Sequence, residues 1–204
     1  MIDDAITVAI TGASGGAYGL RLVQSLLAAE QRVYLLISEA GRLVLKMEED
    51  LALPGRNREL ATALCRHLNV PESGLTVFGA KEWTAPVASG SGAPARMAVC
   101  PCTTGSLARI AAGTSDGLIE RAADVVLKER GRLVLVPRET PLSEIHLENM
   151  LRLTRMGAVM LPANPGFYNR PESVTALVDF VVARVLDQLG VANQLAPRWG
   201  QPDD

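Results

Sequence analysis

An apolar run over residues 5–10 passes directly into Thr11-Gly-Ala-Ser-Gly-Gly16, and helical spacing begins near Ala17. A strand that feeds a turn of small residues and then a helix leaves backbone N–H groups pointing out of the helix's first turn. That end also carries the positive pole of the helix dipole, so it can hold an anion, most often a phosphate. Glycines there let a ligand approach the backbone, and Ser14 sets a hydroxyl at the mouth. The spacing Gly12, Gly15, Gly16 is neither G-x-G-x-x-G nor the G-x-x-x-x-G-K-[ST] of nucleotide hydrolases. Alone, the turn reads either as an anion site or as a tight strand–helix joint.

The same alternation continues down the chain. Further strands are expected at 32–37, 76–78, 97–101, 133–136 and 158–161, and helices at 17–29, 39–48, 57–68 and 107–112. Asp116 can cap a helix over 117–129, and Thr140 followed by Pro141 can open one that reaches about Met156. The last helix, 172–189, has the clearest period: Val174, Leu177, Val178, Val181, Val182, Val185 and Leu189 form one broad stripe. Strands apolar on both faces and separated by helices predict one α/β domain over 1–204, a parallel sheet covered by helices on both sides.

Residues 101–106, Pro-Cys-Thr-Thr-Gly-Ser, repeat the opening turn in kind. Two such turns at the carboxyl ends of parallel strands are where open α/β sheets bind ligands. Residues 79–95 form a long irregular stretch with Trp83, glycines and hydroxyls, which reads as a substrate-covering loop or a plain surface connection.

Composition narrows the function classes. A chain of 204 residues can bury roughly 70% of its unfolded surface in one core. Hydrophobic residues reach 48%, yet no run approaches the ~20 residues of a membrane span. The acidic Met1-Ile-Asp-Asp4 start is not a secretory signal, and a net charge of −2 argues against non-specific nucleic-acid binding. Cys65, Cys100 and Cys102 suit reduced thiols in a cytoplasmic protein, and His67 and His146 lie too far off in sequence to complete a metal set with them.

Arg121 and Lys128 would share a helix face, either as a solvated surface with Asp124 or as cationic lining for a phosphorylated substrate. Arg138 and Glu139 follow a buried strand at the ligand end of the sheet. Tyr168, in a Pro/Gly loop, suits either packing or phosphate contact, and Arg184 borders the last helix's stripe. There is no Ser/His/Asp triad order or nucleophile elbow. One phosphate would not require Arg121, Lys128, Arg138 and Arg184 together; two phosphate-bearing ligands could.

Five segments, Thr11-Gly-Ala-Ser-Gly15, residues 100–106, 121–130, Pro137-Arg-Glu-Thr-Pro141 and Pro165-Gly-Phe-Tyr168, resemble the UbiX-type flavin prenyltransferases. The likeness runs from Ile6 to Trp199. It implies a flavodoxin-like, Rossmann-type three-layer fold and transfer of a dimethylallyl group from dimethylallyl monophosphate to reduced FMN. The product, prenylated FMN, serves UbiD-type decarboxylases, including one in ubiquinone biosynthesis, and the reaction needs no metal. By resemblance FMN would contact Gly12, Ala13, Ser14, Ser38, Thr103, Thr104, Gly105, Ser106 and Arg138. Tyr168, Arg184, Lys128 and Arg121 would hold the dimethylallyl phosphate, with Glu48, Ser89, Gly90, Ser91 and Trp199 lining its prenyl end. Ser14 would hydrogen-bond the reacting flavin nitrogen, and Glu139 would handle the proton on the departing phosphate. Thr103 and Ser106 stand where the family usually has Ser and Thr. The resemblance further implies a homododecamer with sites at subunit interfaces and no membrane or nucleic-acid partner. The competing readings are an FMN-dependent decarboxylase of the cysteine-decarboxylase type and a non-catalytic FMN carrier.

Overall fold

The computed structural model describes residues 4–198 and 200. Among them six strands, β1 (Ile6–Ile10), β2 (Val33–Ile37), β3 (Leu75–Phe78), β4 (Arg96–Cys102), β5 (Arg132–Pro137) and β6 (Val159–Met160), form one sheet in the order β3-β2-β1-β4-β5-β6. Every neighbouring pair is parallel. The helices are α1 (Gly16–Ala28), α2 (Glu39–Glu48), α3 (Asn57–Leu68), α4 (Thr104–Ala112), α5 (Leu118–Lys128), α6 (Glu144–Arg155) and α7 (Val174–Leu189).

Side chains alternate along each strand, so a parallel sheet needs a core on both faces. Ile6, Val8 and Ile10 of β1, with Cys100 of β4 and Val134 and Val136 of β5, enter one core with Leu20 and Val23 of α1, Leu64 of α3 and Val182 of α7. Ala9, Met97, Val99, Leu133 and Leu135 enter the other, with Leu107 of α4, Leu118 of α5 and Leu153 of α6. The expected three-layer architecture is thus present, and all three cysteines are free and buried. Burial pushes the Cys102 thiol up to about 12, with Arg109 opposing and Glu120 adding to the rise.

Three helix starts differ from expectation, each because a better partner for the first amides exists. α4 begins at Thr104, since the Thr103 hydroxyl accepts from Ser106 N at 3.0 Å. α5 begins at Leu118 behind Gly117 and not under an Asp116 cap; its Leu118 N donates to the loop carbonyl of Ala80 at 2.9 Å. α6 begins at Glu144 rather than at Thr140–Pro141, because Ser143 and His146 cap each other reciprocally: Ser143 Oγ accepts from His146 N, and His146 Nδ1 accepts from Ser143 N at 3.2 Å.

Residues 79–95 are packed, not free. Ala85, the cap of a short 3-10 turn at Pro86–Ala88, and Val87 within that turn are buried in the second core. The stretch follows α5 along its length, from Ala80 at Leu118 to Ala88 at Arg121 and Gly90 beside Lys128, and Arg132 N donates to Ala95 O at 2.7 Å.

Candidate functional site at the carboxyl edge of the sheet

Connections leave β1 and β4 in opposite directions, and the crevice between such strands is where ligands enter open α/β sheets. Both small-residue turns meet there, and Thr11 ties them together. Its amide and hydroxyl donate to Pro101 O at 3.2 and 2.8 Å, while its Oγ1 accepts from Thr103 N at 2.8 Å. Thr11 is only 1% exposed. A polar residue closing a buried strand was the available signal for this role, which the sequence reading did not assign.

Across the crevice, Thr103 Oγ1 and Ser106 Oγ lie 3.0 Å apart. Arg109 continues the network, donating to Ser106 Oγ at 3.2 Å and to the buried Glu120 at 2.8 Å. The first-turn amides of Thr104 and Gly105 have no intrahelical acceptor, so α4 presents donors at the crevice. On the other side, Ser38 Oγ accepts from Gly41 N at 2.9 Å, and Ser38 N donates to Ile10 O at 3.0 Å. Arg138, leaving β5, donates from Nε to Ser14 O at 3.1 Å. Glu139 is exposed beside it, its Oε1 accepting from Thr140 N at 3.0 Å. Gly12, Ala13, Ser14, Ser38, Thr103, Thr104, Gly105, Ser106, Arg138 and Glu139 therefore share one edge.

The first turn differs from its expected use. Glu48, on the last turn of α2, accepts from Gly15 N at 2.8 Å and Gly16 N at 3.0 Å, so the chain's own carboxylate takes the anion position at the start of α1. Desolvation pushes its carboxyl up, but hydrogen bonds from the Ser14 hydroxyl and the two amides, with the Arg138 charge, outweigh that. The net result holds it below the ordinary carboxylate value. Glycine at position 12 also answers to the packing of α2: a Cβ there would come within 2.4 Å of Ala40 Cβ. Gly15 has φ 106°, a left-handed conformation that disfavours side chains.

The other cations fall elsewhere on the chain. Arg121 donates to Ala88 O at 3.0 Å and Asp124 Oδ2 at 2.8 Å, and Lys128 pairs with Glu129 beside Gly90. Lys128 precedes β5 while Arg138 follows it, so a strand length of roughly 20 Å separates them within one chain. Ser89 and Ser91 stand with the Lys128 group, their hydroxyls 3.3 Å apart. Tyr168 and Arg184 line a third place, a cleft of about 620 Å³ beside α7. Trp199 lies outside the described residues.

Strand order and crevice define a Rossmann-type α/β protein whose carboxyl edge suits a nucleotide. Residues 3–186 match the family model described as Flavoprotein. A relative from Pseudomonas aeruginosa named Flavin prenyltransferase UbiX is 54% identical over 196 residues, covering 96% of this chain and 94% of the relative. The crystal structure of AnUbiX (PadA1) in complex with FMN and dimethylallyl pyrophosphate is 39% identical with a TM-score of 0.86, covering 98% of each chain. A dodecameric FMN-dependent UbiX-like decarboxylase from Escherichia coli O157:H7 is 42% identical with a TM-score of 0.83, covering 97% of this chain and all of its own. The chain belongs to the flavoprotein family, and within it to the UbiX-type flavin prenyltransferases.

The crevice fits FMN. A phosphate suits the donors at the start of α4, and Arg138 supplies a guanidinium on the opposite side. No helix among the described residues is long and apolar enough to cross a membrane.

Proposed function

We propose that the chain joins the dimethylallyl group of dimethylallyl monophosphate to reduced FMN, giving prenylated FMN. The observation that carries this is the junction of the two turns at the sheet's crevice, with donors at the start of α4 and Arg138 facing them, in a chain 54% identical to a flavin prenyltransferase. When bound, reduced FMN supplies the electron-rich ring nitrogen and neighbouring carbon that the dimethylallyl carbons join.

The chain's own groups supply the rest. The allylic C–O bond breaks with its electron pair leaving on phosphate, so charge grows on that oxygen. Tyr168, Arg184, Lys128 and Arg121 stabilise that charge with fixed donors. Glu139 takes up or returns the proton on the departing phosphate, and Ser14 holds the reacting flavin nitrogen through its hydroxyl. Gly12, Ala13, Ser38, Thr103, Thr104, Gly105, Ser106 and Arg138 bind FMN, while Glu48, Ser89, Gly90 and Trp199 line the prenyl end. No metal takes part.

Within one chain the FMN edge, Lys128 and Arg184 lie apart, so a complete site draws them from neighbouring copies. The dodecameric relative supports the same assembly here. The chain works in the cytoplasm and passes its product to a UbiD-type decarboxylase.

Incubation of the protein with reduced FMN and dimethylallyl monophosphate should give a flavin heavier by one five-carbon unit by mass spectrometry. Unchanged FMN from folded, FMN-binding protein would leave the carrier reading in its place. Glu139→Gln should slow product formation by an order of magnitude or more while FMN affinity stays within about two-fold; loss of FMN binding would reassign Glu139.

A further inference from the structure

The cleft beside α7 holds a charge arrangement that the residues named so far do not exhaust. Asp187, on α7, receives two guanidiniums: Arg184 Nη1 at 2.9 Å on Oδ2 and Arg198 Nη2 at 2.9 Å on Oδ1. Asn193 Nδ2 adds a third donor at 3.1 Å. The Asp187 side chain is 19% exposed, against 55% and 47% for Arg184 and Arg198, so the carboxylate lies beneath and the cationic heads face the opening.

Arg184, Asp187 and Arg198 are the charged residues among the described lining, which leaves one positive charge uncompensated. Each guanidinium gives Asp187 a single N–H, so most of its fork of donors remains directed elsewhere. The rest of the lining is neutral, with Phe180, Ala196 and Pro197 beside Tyr168, Asn169 and Asn193. Such a cleft, with an apolar wall and a surplus guanidinium at its mouth, fits a small apolar group carrying an anionic head.

We propose that Arg198 is a second guanidinium ligand of the ester's phosphate, held at working distance from Arg184 by their shared carboxylate. Asp187 is then a positioning residue that spaces the two forks to grip one phosphate from two sides. The C-terminal tail that carries Arg198 is thereby part of the binding site. This rests on the reading of Tyr168 and Arg184 as the phosphate site.

The test is binding of dimethylallyl monophosphate by calorimetry, with turnover measured in parallel, for Arg198→Ala, Arg198→Lys, Arg184→Ala and Asp187→Asn. Arg198→Ala should weaken ester binding and raise KM by about ten-fold or more, with turnover falling alongside, while FMN affinity stays within about two-fold. Arg198→Lys should recover part of the loss, because it keeps the charge without the fork. Asp187→Asn loosens the spacing of the two forks but keeps both guanidiniums, so it should weaken ester binding by about three-fold, clearly less than Arg198→Ala does. A loss there as large as that of Arg198→Ala shows Arg198 acting only as a tether and overturns the proposal. Loss in Arg184→Ala alone overturns it too while leaving the prenyl phosphate reading standing; loss in neither arginine variant overturns both.

Discussion

Glu48 shows how a single side chain can set the chemistry of an edge. Its carboxylate rests on two backbone amides at the start of α1, where the helix dipole and hydrogen bonds favour the charged form. Because its folded pKa is lowered, its contribution to stability is complete above the unfolded carboxyl value and is lost as pH falls through the folded one. Glu48→Gln should therefore cost about 0.3–1 kcal/mol near pH 7, and less at high salt. Thermal unfolding of the two proteins should converge as pH drops below about 4; a gap that widens on acidification would contradict the assigned contacts. Ser14 and Arg138 were readable in the sequence as edge residues. Glu48 as the partner of the first turn was not, since 33 residues separate it from Gly15.

At the scale of elements, the glycine-rich turn is shaped as much by helix packing as by any ligand. α2 lies so close that Gly12 has no room for a Cβ beside Ala40. Gly12→Ala should cost about 1–3 kcal/mol, read as a shift of the urea midpoint at unchanged m-value. An unchanged midpoint would mean that α2 docks more loosely than the structure has it. Periodicity, turns and caps placed all seven described helices, and the broad stripe of α7 packs where Val178, Val182 and Val185 predicted. The starts of α5 and α6 were not readable in the same way. The Leu118 amide is satisfied by Ala80, a carbonyl 38 positions earlier, and α6 is opened by a Ser143–His146 pair in competition with the equally plausible Thr140–Pro141. Several partners are locally compatible with a helix start, and packing selects among them.

For the whole molecule, the decisive fact is that the cations divide into separate groups on one chain. Arg138 is at the carboxyl edge, Lys128 toward the amino edge and Arg184 in the α7 cleft. The surface carries apolar side chains suited to contact with further copies: Ile145, Leu147 and Leu151 of α6, and Phe167 and Tyr168 in the loop before α7. If sites are shared between copies, co-expressed Lys128→Ala and Arg184→Ala chains should recover up to roughly a quarter of wild-type turnover, the share of interfaces drawing both intact residues from an equal mixture. Each variant alone should be nearly inactive. No recovery in the mixed assembly would mean that each site draws both residues from the same copy.

By itself the sequence determined the layers, the parallel sheet and the edge at which chemistry gathers. These follow from local patterns: alternation along strands, stripes on helices and small residues in turns. Tertiary structure alone decided which groups meet, placing Glu48 on the first turn, Thr11 between the two turns and Arg198 opposite Arg184 on Asp187. Such meetings depend on how helices seat against the sheet, a matter of packed volume and satisfied polar groups that no local period encodes.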